Sequence, residues 1–420
     1  MTLLFQVTSI LPFILASISF CLASLDVTYE WKYIDYVWKC NKEKAAAIAA
    51  GTYNRTKIIP NDVQPLPDGR ILVTTPKYFN NPASLSTISS KTGDGGPLLE
   101  PYPDWTWHNR KDCYGITSVN RVFLDDCNRL WLVDSGKIGN HQVCPAKILA
   151  FNPKNDRLIK QLIIPNDLTH NANNKYQGRL EISGVETHGR SCKKTWVYMA
   201  DPEGFGLVIS DGSDIWRLNA DVFNPDPSKT EFSIARENFT LSIGLSSFHM
   251  TPAGFLEKPS LIFKPMSAVN GYGITLEDLH KSKSGREITF YKLNFTEPSQ
   301  ELMGDFSKTG GIFLTTFSTE TLLACWNIRN PLQAEYIIYN RLDISNQICK
   351  RYFSDTGLKI TEDSNSGSQT VTVMTNRLQR FILGTVDFNE VNFRILTGDV
   401  ETLVNGTVNN IGETMNWYRI

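Results

Sequence analysis

The residues from which chemistry would be expected first are six histidines, eight cysteines and two aspartate-rich turns, in a chain of 420 residues. The histidines, His108, His141, His170, His188, His249 and His280, scatter through expected loops and strand ends. No H-E-x-x-H helix, G-x-S-x-G elbow or phosphate-binding glycine loop accompanies them, so no metalloprotease, acyl-transfer triad or nucleotide site is marked. Asp211-Gly212-Ser213-Asp214 and Asp201-Pro202-Glu203-Gly204 offer the oxygen ligands calcium takes. They lack its alternating ligand series and read as ordinary turns. The cysteines include no C-x-x-C pair to anchor a tetrahedral metal set. Neither a metal nor another cofactor is expected.

A secreted context gives the cysteines another use. Residues 1–23 carry no charge, are greasy at Leu3-Leu4-Phe5 and from Leu11 to Phe20, and end on the small-residue run Cys21-Leu22-Ala23-Ser24. That pattern is a cleavable secretory signal, with an uncleaved anchor as the alternative. The acceptor sequons at Asn54, Asn238, Asn294 and Asn405 point to the same compartment. Loss of Cys21 with the signal leaves Cys40, Cys113, Cys127, Cys144, Cys192, Cys325 and Cys349, an odd number. In an oxidising compartment most should pair. Cys113, Cys127, Cys144 and Cys192 lie in successive strand-turn units, and the preferred pairing is Cys113 with Cys144 and Cys127 with Cys192.

The elements that must position these residues are strands. Between Cys113 and Gly136, Val119, Val122 and Leu124 interleave with polar residues, Asp125 to Asn128 turns the chain, and Leu130-Trp131-Leu132-Val133 returns. This is a β-hairpin pattern. Its short apolar strand recurs at Ile71–Pro76, Trp196–Asp201, Leu261–Met266, Leu322–Asn327 and Val371–Asn376. Six copies at this spacing predict an all-β, six-bladed β-propeller filling residues 24–420 as one domain. Val27–Trp38, which alternates aromatic and polar residues, is expected to close the ring by completing the blade that holds Val391–Leu396. Helix is expected only at Lys42–Ala50 and Thr275–Ser282, with a turn near Ile182-Ser183-Gly184. With 42 Lys and Arg against 43 Asp and Glu, the net charge of -1 provides no global field for nucleic acid or acidic membrane. Neither is expected as a partner, and the protein is expected to be a monomer.

Several of these runs, in this order, resemble the yellow / major royal jelly protein family. They are Cys113–Val119, Leu124–Gly136, Cys144–Ile148, Trp196–Asp201, Cys325-Trp326-Asn327 and Asp387–Leu396, and the resemblance extends from about Val27 to Leu403. Thr28–Trp31 and Phe317–Thr321 look most like the yellow-related salivary proteins of blood-feeding sand flies. The resemblance implies a six-bladed propeller with a central ligand-binding channel. For the salivary branch it implies binding of host biogenic amines: serotonin, catecholamines and, more weakly, histamine. The family pattern places the amine site on a threonine before the last blade, the asparagine of an S/T-N-R motif and the residue two beyond it. Those positions are Thr361, Asn376 and Leu378 here. An aromatic is expected in some relatives where this chain has Leu378, so that residue would act through its carbonyl. Tyr114 is a further candidate, as an aromatic wall. The plain alternatives are that Thr361 and Asn376 close turns and that Tyr114 packs. The family also implies a second class of function, a melanin-pathway isomerase acting on dopachrome, which would need a placed proton donor and acceptor.

Overall fold

The structure, a computed structural model, describes residues 25–108, 112–189, 191–286, 288–296, 300–317, 322–333, 336–341, 354–363, 365–405 and 407. The expected signal at 1–23 and Cys349 lie outside the described residues.

Six four-stranded antiparallel sheets follow one another along the chain as blades 1 to 6. Their innermost strands are Asp62–Pro65, Val119–Leu124, Glu181–His188, Leu245–Met250, Glu301–Phe306 and Ser354–Glu362. Each meets the innermost strands of the two neighbouring blades, so the six form a closed ring. All six run in the same direction. The face on which they begin is called upper below. Blade 6 takes its outermost strand, Asp26–Trp31, from the other end of the chain, paired with Phe393–Asp399.

The apolar runs that recur in the sequence are continuous because both faces of a blade pack on neighbours. All five residues of Leu130–Asp134 are buried. Leu72, Leu85, Val119, Leu132 and Phe151 form one layer between blades 1 and 2, and Tyr198, Leu207, Phe248, Leu261 and Phe263 form another between blades 3 and 4. In five blades the recurring run is the second strand. In blade 5 the second strand is Ile312–Phe317, and Leu322–Asn327 is the third. Both runs are apolar, so composition could not rank them, although the blade count was unaffected.

The helices are Asn41–Ala49 and Leu276–Lys281, near the expected bounds, together with short helices at Trp105–His108, Leu378–Leu383 and Val400–Val404. Thr275 starts its helix by accepting a 3.1 Å hydrogen bond from the Asp278 amide. The expected turn at Ile182-Ser183-Gly184 lies inside the strand Glu181–His188, where the pairing slips by one residue. It is a bulge, and it belongs to a pattern. Five of the six innermost strands slip close to their upper ends, at Val119/Val122, Ile182/Gly184, Leu245/Ser247, Glu301/Met303 and Asp355/Gly357. A bulge re-aims the side chain it releases from the ladder, and here the releases cluster at one end of the ring.

Close packing between blades 6 and 1 depends on one of these bulges. A methyl group on Gly357 would stand 2.6 Å from Asp62 Oδ1 and 2.9 Å from Asp62 Cα. Gly357→Ala is therefore expected to cost about 1–3 kcal/mol by overpacking, read as a lowered midpoint in urea with an unchanged slope. An unchanged midpoint would mean that the blades separate freely there.

Candidate functional site

Where the bulges gather, polar side chains replace the apolar filling. Arg121, released by the bulge in blade 2, is buried and donates from Nε to Glu181 Oε1 at 3.1 Å and from Nη1 to the Thr356 carbonyl at 2.8 Å. Blades 2 and 6 are not neighbours, so this guanidinium spans the ring. Asn120 Nδ2 donates to Glu181 Oε2 at 3.3 Å, and Asp62 Oδ2 accepts from the Val122 amide at 3.1 Å and lies 3.6 Å from Lys359 Nζ. Burial pushes the Glu181 carboxyl up from its ordinary range, with the Arg121 charge working against that rise. Burial likewise opposes the Arg121 charge, but Glu181 and Asp62 outweigh it and hold the guanidinium more firmly protonated than usual.

Asn376 ends the second strand of blade 6 on the upper face and has no exposed surface. Its Nδ2 donates to the Pro60 carbonyl at 2.9 Å and to Thr356 Oγ1 at 3.4 Å, which fixes the orientation of the amide. Asn376 Oδ1 is then left buried with no hydrogen-bond partner among the described residues. The same holds for Asn120 Oδ1 and Asp62 Oδ1. The acceptors on Asn120 and Asn376 sit on residues tied together through Glu181, Arg121 and Thr356, and Asp62 joins them through the Val122 amide. Asn81, Gln161, Gln369 and Asn392 carry such an oxygen elsewhere, and what distinguishes these three is that they gather at one end of the axis. Chemically, oxygens of this kind accept hydrogen bonds, so the group that would complement them is a donor.

The other expected site residues fall elsewhere. Thr361 pairs with Thr370 near the lower end of the same hairpin, six residues along the strand from Asn376, a distance of about 20 Å. Its hydroxyl points to the Thr370 carbonyl at 3.5 Å. The threonine that meets Asn376 is Thr356, five residues earlier, turned inward by the bulge at Asp355/Gly357. Leu378 opens the helix Leu378–Leu383 just past Asn376 and packs on an apolar cluster with Phe393 and Tyr53. Tyr114 is 44% exposed in the upper connection between blades 1 and 2, its ring 5.6 Å from that of Trp107. It shares a face with Asn376, but not the buried cluster.

Comparison with known proteins gives the lineage. The family model described as "Major royal jelly protein" matches residues 117–408. The chain belongs to that family. Major royal jelly protein 9 of Apis mellifera is 34% identical over 393 residues, covering 91% of this chain and 89% of the relative. Major royal jelly protein 8 of the same bee is 35% identical over 405 residues, covering 91% and 92%. Among solved structures, virginiamycin B lyase from Staphylococcus aureus aligns at a TM-score of 0.40 and 10% identity, covering 77% of this chain and 82% of that one, too distant to bear on function.

In this major royal jelly protein relative, disulfides join Cys113 to Cys144 and Cys127 to Cys192, with Cα separations of 5.4 and 6.5 Å. The first ties the connection that carries Tyr114 to blade 2, and the second ties blade 2 to blade 3. The sequon residues Asn54, Asn238, Asn294 and Asn405 are all exposed. The aspartate-rich turns are spoken for. Asp211 and Asp214 each hold Lys283 at 2.5 Å, and Asp201 holds Arg217 at 2.8 Å. One cluster went unread in the sequence. On the lower side of blade 3, Glu186 accepts from Tyr198 Oη at 2.6 Å and sits 2.6 and 2.9 Å from His188 and His280. Burial works to raise the Glu186 carboxyl, but the bonds from His280 and Tyr198 hold it below its ordinary range. Glu186 and His188, two apart on a strand, share a face, which was the available signal.

Proposed function

We propose that this protein is secreted and binds small biogenic amines at the upper end of its axis. Serotonin and catecholamines are preferred over histamine, and the protein sequesters them without chemical conversion. The salivary branch that the sequence resembles gives the setting: removal of host amines to modulate haemostasis and inflammation during blood feeding. The observation that supports the reading is the trio of orphan oxygens on Asp62, Asn120 and Asn376. An unmatched buried acceptor costs about 1–3 kcal/mol, and a primary ammonium brings three donors. Charge does not oppose such a ligand: the carboxylates Asp62 and Glu181 stand against the cations Arg121 and Lys359, two against two.

Calorimetric titration with serotonin tests this. Asn376→Ala is expected to weaken binding about ten- to a hundred-fold, the cost of one hydrogen bond to a charged group, and also to lower the melting temperature, because the Pro60 carbonyl loses its donor. Thr356→Val should act in the same direction, while Thr361→Ala, at the far end of the hairpin, should leave affinity unchanged. If Asn376→Ala lowers the melting temperature and spares affinity, the amide only closes a turn. Saturable conversion of dopachrome, with no stoichiometric heat from any amine, would favour the isomerase instead.

A further inference from the structure

A concavity opens on the upper face beside the helix Asn41–Ala49, away from the axis. It is a cleft of about 550 Å³, walled by Tyr33, Tyr53 and Phe79 and by Lys44, Arg55 and Lys57. The rings and the cations are paired. The Arg55 guanidinium lies 4.5 Å over the Tyr33 ring, Lys57 Nζ lies 4.6 Å over Phe79, and Lys44 Nζ lies 5.7 Å from Tyr53. Lys44 is neutralised by Asp35 at 2.5 Å. Arg55 and Lys57 have no carboxylate in ion-pair contact among the described residues. Three cations against one carboxylate leave the cleft at +2. Phe79 is held 46% exposed at its edge.

The walls are anchored. Tyr53 is 4% exposed and its hydroxyl donates to the Ile34 carbonyl at 3.2 Å, and Trp38 stacks on Trp105 at 5.1 Å beneath it. Asn54 accepts from the Thr56 amide at 3.0 Å and so fixes the short helical turn that carries Arg55 and Lys57. The cations are thus presented from a braced turn, over rings that keep them close to the wall. Such a surface offers two complementary features at once: the exposed part of Phe79 for an apolar ring, and two cations for an oxyanion.

We propose that this cleft binds phosphate or sulfate esters of aromatic rings, as a site separate from the amine site. The same charges disfavour an ammonium, so the two sites select opposite ligands. Inorganic phosphate would engage only the cations and a free phenol only the rings, whereas an aryl ester engages both.

The test is titration of the full chain with p-nitrophenyl phosphate and p-nitrophenyl sulfate, against p-nitrophenol and inorganic phosphate. Protein made without N-glycans is used, because Asn54 stands on the cleft wall. Both esters are expected to bind more tightly than either fragment, and more weakly as salt rises. Arg55→Gln and Lys57→Gln should each weaken the esters about ten-fold, as loss of a charge-assisted contact. Phe79→Ser should weaken the esters but not inorganic phosphate. Lys42→Gln, exposed on the same helix outside the cleft, should leave ester binding unchanged. All of these residues are at the surface, so melting temperatures should hold. Ester binding that survives the Arg55→Gln/Lys57→Gln double substitution, fragments that bind as well as the esters, or no ester binding at all would each overturn the proposal.

Discussion

Replacing Arg121 by methionine is expected to destabilise the folded ring by about 3–5 kcal/mol, because it strands Glu181 as a buried carboxylate without its cation. Arg121 and Glu181 have side chains only 7% and 4% exposed, so solvent cannot take the guanidinium's place. The Thr356 carbonyl loses its donor in the same step. The cost should depend on pH, with a sign that identifies its source. Burial already raises the folded-state pKa of Glu181, and removing Arg121 takes away the charge that restrains the rise. An unfolded glutamate titrates near ~4.3. A group whose folded pKa is raised contributes stability that is complete below the unfolded value and is lost as pH rises through the folded one. The variant should therefore regain stability on acidification from neutrality towards about pH 5, over a range where the parent changes less. Adding Glu181→Leu to Arg121→Met should recover much of the loss, since an apolar pair of similar volume often replaces a buried ion pair at little cost. Urea melts at several pH values read all of this. A single variant that melts with the parent at every pH would show that the guanidinium is not what holds the head of the axis.

The same residue shows what the sequence could reveal and what it could not. Blades were legible because a sheet packed on both faces needs a continuous apolar run, as in Leu130–Asp134 and Lys194–Asp201. The closing strand was legible from its aromatic alternation. Bulges were not. In Val119–Leu124 the pair Asn120-Arg121 reads as the solvent-facing half of an alternating strand, and only the slip between Val119 and Val122 turns it inward. Thr361 and Thr356 differ in the same way. Both precede the hairpin turn, and the slip at Asp355/Gly357 puts Thr356, not Thr361, against Asn376. Asn376 was singled out through a family motif, and its burial and its bond to the Pro60 carbonyl are not written in the local pattern. Tyr114 was a candidate aromatic wall with packing as the alternative, and it sits 44% exposed in a connection whose path the local pattern does not encode.

Deleting residues 25–40 is expected to abolish the cooperative fold, not merely fray one edge. The segment does two jobs. As Asp26–Trp31 it supplies the fourth strand of blade 6, with Arg394 pairing to Glu30 at 2.7 Å across the seam. It then crosses to blade 1, where Lys32 donates to the Gly95 carbonyl at 2.7 Å, Trp31 Nε1 to the Pro97 carbonyl at 2.6 Å, and Val37 to the Leu99 carbonyl at 2.8 Å. Leu25, Trp31, Ile34 and Tyr36 are at most 2% exposed. At about 1.5–3 kcal/mol for each large apolar side chain, these four contribute roughly 6–12 kcal/mol as an upper estimate. A whole domain is stable by only about 5–15 kcal/mol, so removing the segment uses up most or all of that margin. It also bares the edge of Phe393–Asp399, inviting edge-to-edge association. The truncated chain should show no single thermal transition, rapid proteolysis and a tendency to aggregate. Trp31→Ala, a milder cut through the same seam, should cost about 3–5 kcal/mol and still melt cooperatively. A truncated protein that melts in one transition close to the parent would mean the ring is closed by the inner strands alone, with the N-terminal strand an ornament on the outside of blade 6.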